Sequence, residues 1–119
     1  MIYRINNGRI DVDFEAKKIV SMLVDGRELI KGNIPFFSVR LRKKNNEKRM
    51  ITAFDCEFVK KENEKAFYTH REIDVSLSVR QSKNELLWRI NVTNKTNDLI
   101  ELVDVMSFGV NEKFRDEED

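Results

Sequence analysis

Hydrophobic and polar positions alternate with a period of two along most of this chain, and the alternation breaks only at clusters of turn-forming residues. Residues 73–81 are the clearest case: Ile73, Val75, Leu77 and Val79 share one face, and Asp74, Ser76, Ser78 and Arg80 the other. This is the pattern of a half-buried β-strand, because successive side chains of an extended backbone point to opposite sides. Residues 9–14 repeat it, with Ile10, Val12 and Phe14 against Asp11 and Asp13, as do residues 36–42, where Phe37, Val39 and Leu41 share a face. Residues 2–5, 19–24, 27–30, 50–54, 56–59 and 66–71 read as further strands, with a bulge expected near Asp55.

The breaks have their own chemistry. Asn6-Asn7-Gly8, Glu15–Lys18, Lys43–Arg49, Glu62–Lys65 and Ser82-Lys83-Asn84 supply turns, and Gly32-Asn33-Ile34-Pro35 a linker. Asp25-Gly26 is the strongest hairpin signal, since both central residues of a type I′ turn need positive φ.

The second half is organised around residues 85–110. Leu86, Trp88, Ile90 and Val92 point one way, and Leu87, Arg89, Asn91 and Thr93 the other. Residues 99–110 are apolar on both faces, with Leu99, Val103 and Val105 on one and Ile100, Leu102, Met106, Phe108 and Val110 on the other. Such a strand is expected in the middle of a sheet covered on both sides. Any part left bare is expected to bury itself against a second copy or a missing catalytic domain. No apolar stripe of 3.6-residue period persists for three turns. The expected fold is therefore all-β, an antiparallel two-sheet β-sandwich with little or no helix, over residues 1–110, followed by an acidic tail at 111–119.

Composition narrows the function classes. The 22 basic and 21 acidic residues give a net charge of +1, which lacks the footprint of a nucleic-acid binder. No apolar run reaches the length of a membrane span or of a signal peptide, and the single cysteine forbids an internal disulfide. A cytoplasmic protein, with no nucleic acid or membrane partner, is the expectation. On that expectation the sequons at Asn91 and Asn94 are not acceptors.

Candidate chemistry is sparse. Asp11/Asp13, Asp55/Glu57 and Glu72/Asp74 are carboxylate pairs at a spacing of two, about 6–7 Å apart on a strand, within the range of glycosidase acids. Alternating acids also mark an ordinary solvated face, and that reading is preferred. Asp11-x-Asp13-x-Glu15 lacks the remaining ligands of a calcium loop. Cys56 and His70 lack an orienting third group, and they are too few to hold zinc. Arg40, Arg42, Lys43, Lys44, Lys48 and Arg49 form a basic cluster, read as a hairpin tip that guards a sheet edge. Trp88, Phe36, Phe58 and Tyr68 could form a sugar-stacking platform, but Trp88 alternates with core positions. No catalytic, cofactor-binding or metal residue is assigned, and no cofactor is expected.

One resemblance adds to this. Trp88-Arg89-Ile90-Asn91-Val92-Thr93-Asn94-Lys95-Thr96, followed by Ile100 to Phe108, resembles a W-x-I-x-V-x-N-x-T hairpin and the strand after it. That hairpin lies in the galactose-mutarotase-like N-terminal β-sandwich of several glycoside hydrolase and polysaccharide lyase families. Asn7 to Phe14 and Asp25-Gly26-Arg27-Glu28-Leu29 are similar to the first strands of such modules. Gly109 departs from the pattern, which usually has proline there. The resemblance implies a non-catalytic accessory module acting in packing or weak glycan binding, with carbohydrate as its ligand and the catalytic residues in a later domain. The alternative from the residues is a stand-alone protein–protein interaction module that acts through a sheet edge or an apolar face.

Overall fold

The computed structural model describes residues 1–5, 8–30, 34–82 and 85–105. Twelve strands follow one another with no α-helix among the described residues: β1 (Ile2–Ile5), β2 (Gly8–Asp13), β3 (Lys18–Val24), β4 (Arg27–Glu28), β5 (Ile34–Pro35), β6 (Phe37–Arg42), β7 (Lys48–Thr52), β8 (Glu57–Glu62), β9 (Lys65–Thr69), β10 (Ile73–Ser82), β11 (Glu85–Asn94) and β12 (Leu99–Val105). Every pairing is antiparallel. The chain is thus the all-β, sandwich-like fold that its alternation predicts. Its strands are hydrogen bonded in three sets, β1-β2-β3-β4 with β5 also on β3, β11-β10-β9-β8, and β12-β6-β7.

The three sets share one core. Ile10 and Val12 from β2, Phe37, Val39 and Leu41 from β6, and Ile73, Val75, Leu77 and Val79 from β10 are all buried in it. These are the inward positions read from the period-two pattern. Phe37 of β6 meets Tyr68 of β9 edge-on at 5.7 Å, and Phe36 lies 5.5 Å from Phe14 and 5.9 Å from Trp88. Tyr68 also donates a 2.8 Å hydrogen bond from its buried hydroxyl to the Phe14 carbonyl, fixing the β2–β3 turn onto the neighbouring sheet.

The turns follow the local rules. Asp25 (φ 50°) and Gly26 (φ 79°) both take positive φ, as a type I′ hairpin requires, and Val24 pairs with Arg27 across it. The expected break near Asp55 is a 3-10 turn, Ala53–Asp55, in which the Asp55 carboxylate accepts from the Thr52 amide at 2.8 Å. The Asn6-Asn7 and Lys83-Asn84 turns, Gly32-Asn33 of the linker, residues 106–110 of the last strand and the acidic tail lie outside the described residues.

The last strand differs from its expected place. Among the described residues β12 pairs only with β6 and lies at the margin of its sheet, with Leu99, Leu102 and Val103 exposed. A bulge between Ile100 and Leu102 also resets which of its side chains face outward. It inserts Glu101 and reverses the alternation, so Ile100, Val103 and Val105 stand opposite the inward Leu41, Val39 and Phe37. Leu99 and Leu102 then fall on the outer face, opposite Arg42 and Arg40.

Candidate functional site

Most of the sequence-derived candidates are committed to local structure. Asp11 accepts from the N-terminal amine at 3.4 Å, and Asp13 accepts from the Ala16 amide at 3.0 Å as a turn cap. Asp55 caps the 3-10 turn, and Glu72 is ion-paired with Arg49 at 2.7 Å. Asp74 accepts from the Thr69 hydroxyl at 2.6 Å and lies 3.1 Å from Lys95 Nζ. These two contacts hold its carboxyl below the usual range, opposite in direction to a general acid. Among the described residues no three metal-ligating side chains converge.

Cys56 and His70 do not form a nucleophile–base pair. The thiol is buried and directed at the Thr52 carbonyl at 3.6 Å, while His70 Nδ1 accepts from the Glu72 amide at 3.1 Å. Burial, with Asp55 adding to it, pushes the Cys56 thiol up to about 11. A thiolate is therefore scarce at neutral pH. Alkylation of the native protein by iodoacetamide at pH 8 is expected to run about 100-fold or more below the rate in denaturant, where the thiol returns to its ordinary value. Equal rates would show an accessible, activated thiol instead.

The basic hairpin is largely an ion network. The bulge at Glu101 aims its carboxylate at Arg40 (3.5 Å), Arg42 (3.9 Å) and Lys48 (3.5 Å), while Arg49 reaches Glu72. Four of the six cations in the cluster are thus tied to carboxylates supplied from β12 and from the turn before β10.

The four aromatics proposed as a stacking platform face inward. Phe36 and Tyr68 are fully buried, and Phe58 and Trp88 are half-buried against the same core. The structure points to a different aromatic. Because Tyr68 turns inward on β9, its neighbour Phe67 must turn outward. Phe67 pairs with Ser76, and Ser76 in turn with Asn91, while Thr69, Asp74 and Thr93 form the adjacent row. Lys60 Nζ stands 5.2 Å above the Phe67 ring from β8, and the bulge beside it exposes Val59. Val59 and the side chains of these two rows line a shallow depression of about 460 Å³ on the outer face of β8–β11. One aromatic ring flanked by hydroxyl, amide and carboxylate groups on a rigid sheet is an arrangement that can stack a ligand ring and hydrogen bond its edge. The tight Ala66-Phe67-Tyr68 alternation was the available signal, since adjacent residues on a strand point to opposite faces of the sheet.

The Asn-x-Thr segment that carries the family resemblance has a structural task. Asn94 Oδ1 accepts from the Thr96 amide at 2.9 Å and hydroxyl at 2.7 Å, and its Nδ2 donates to the Asp98 carbonyl at 2.7 Å. The motif closes the β11–β12 loop.

The fold and this face define an all-β domain with an aromatic–polar sheet surface. No family model, no curated protein and no solved structure matches the chain. No helix among the described residues is long and apolar enough to cross a membrane.

Proposed function

We propose that this chain is a non-catalytic β-sandwich module, akin to the N-terminal modules of carbohydrate-active enzymes, that binds glycans weakly through the outer face of β8–β11. The observation that carries the reading is the pair of cross-strand rows Phe67–Ser76–Asn91 and Thr69–Asp74–Thr93. They place one exposed-side aromatic beside five polar side chains on neighbouring strands, about 5 Å apart. A pyranose ring presents an apolar face and a hydroxyl edge, and this surface offers a partner for each. The free, buried Cys56 thiol suits a module of a cytoplasmic protein. An NMR titration with mixed oligosaccharides is expected to shift the amides of Phe67, Ser76, Asn91 and Thr93, and Asn91→Ala is expected to weaken the response without changing stability. Shifts confined to other surfaces, or none at all, would remove this assignment.

A second reading is favoured by one specific observation. Leu99 (53% exposed), Leu102 (44%) and Val103 (37%) lie on β12, whose far edge has no strand beside it among the described residues. Exposed apolar side chains on a sheet margin are characteristic of interaction surfaces. Under this reading the module docks a second copy or another domain through β12. A concentration-dependent dimer in sedimentation, lost in Leu102→Lys, would support it, and a monomer at high concentration would count against self-association.

A further inference from the structure

The face centred on Phe67 has a charge asymmetry along its strands. Beyond the row Phe67–Ser76–Asn91 comes the row Lys65–Ser78–Arg89, and after it the pair Arg80–Leu87. Lys65, Arg80 and Arg89 are exposed and form no ion pair among the described residues. The carboxylates on the same face are placed elsewhere or already engaged. Glu57 lies beside Thr69 at the opposite end, Asp74 is held by Thr69 and Lys95, and Glu62, opposite Lys65, is taken by Lys60 at 2.9 Å. Glu85 pairs with Ser82 at the far margin, beyond Arg80. The aromatic row is thus followed, one pleat repeat or about 7 Å along the strands, by a row carrying two positive charges.

We propose that this face selects acidic oligosaccharides, seating one sugar ring on Phe67 and the carboxylate of a neighbouring uronic acid unit between Lys65 and Arg89. The inference rests on the glycan reading above and names its ligand class. Charge complementarity carries it. A planar guanidinium donates two parallel hydrogen bonds to a carboxylate, an arrangement that neutral hydroxyls do not match. Ser78 lies between the two cations and supplies a hydroxyl to the same group.

The test is calorimetric titration of the whole chain with three probes of similar length: an oligogalacturonate, a cello-oligosaccharide and a single-stranded oligothymidylate. The oligogalacturonate is expected to bind about tenfold more tightly than the neutral oligomer, with the preference shrinking as salt is raised. Arg89→Gln is expected to abolish that preference and leave neutral binding intact, while Asn91→Ala weakens both sugars. Both substituted residues are exposed, so thermal melts should match the parent and separate binding from folding. Equal affinity for the two sugars, or an unaltered preference in Arg89→Gln, would overturn the acidic selection and leave glycan binding standing. Absence of binding to either sugar would overturn both readings. Tighter binding of the oligonucleotide would assign the face to a nucleic acid and overturn both as well.

Discussion

Tyr68→Ala is expected to lower the unfolding free energy by about 3–5 kcal/mol, the loss typical when a large buried aromatic is truncated. Tyr68 is only 1% exposed, touches Phe37 and Phe58 edge-on, and donates to the Phe14 carbonyl. Burial pushes its hydroxyl far above the ordinary value, so it remains a donor into alkaline solution. Tyr68→Phe separates the two contributions. It preserves the ring contacts and leaves a buried carbonyl without its donor, at a cost of about 1–3 kcal/mol. Urea unfolding of the two variants gives both numbers. A Tyr68→Phe protein as stable as the parent would mean that packing alone joins β9 to the β2–β3 turn.

Phe36→Ala is the second change with a large expected effect, again about 3–5 kcal/mol. Phe36 is fully buried and stands between Phe14 and the indole of Trp88, at centroid distances of 5.5 and 5.9 Å. Its loss opens a cavity where three sheets meet and uncovers one side of the indole. The variant should therefore show red-shifted tryptophan emission in the folded state as well as lowered stability. Phe36→Leu, which retains much of the volume, should cost less than about 1.5 kcal/mol. Unchanged emission in Phe36→Ala would contradict the aromatic stack and place Trp88 elsewhere in the core.

These two positions also show what was readable along the chain. Phe37, Val39 and Leu41, and Ile73 to Val79 at every second residue, were legible as inward positions, because the face of a side chain on a strand depends only on the parity of its neighbours. Tyr68 and Phe36 were visible as large aromatics, but their roles were not. A phenol that bridges residues 68 and 14 requires a contact 54 positions apart, and nothing local to either residue announces it. Trp88 was expected among the core positions and does face them, yet it is half-buried and only flanks the stack that Phe36 completes.

The candidate site was less legible than the fold. The residues singled out for chemistry were chosen by type and spacing, and most proved to be turn caps, ion-pair partners or core. Asp13 closes a turn and Asp55 another, for example, because short carboxylates reach nearby backbone amides more readily than they stay free. Phe67 drew no notice, although its outward direction followed from Tyr68. Its importance comes from Ser76 and Asn91, which reach the same patch from two other strands.

The sequence by itself determined the all-β class, the inward face of most strands and the Asp25-Gly26 hairpin, since period-two alternation and positive φ are properties of a few consecutive residues. Only the tertiary structure decided that β12 lies at a margin, that a bulge at Glu101 reverses its faces, and that Lys65 and Arg89 flank Ser78. Pairing partners and register are set by hydrogen bonds between segments far apart in the chain. A one-residue slip in that register moves every following side chain to the opposite face of the sheet.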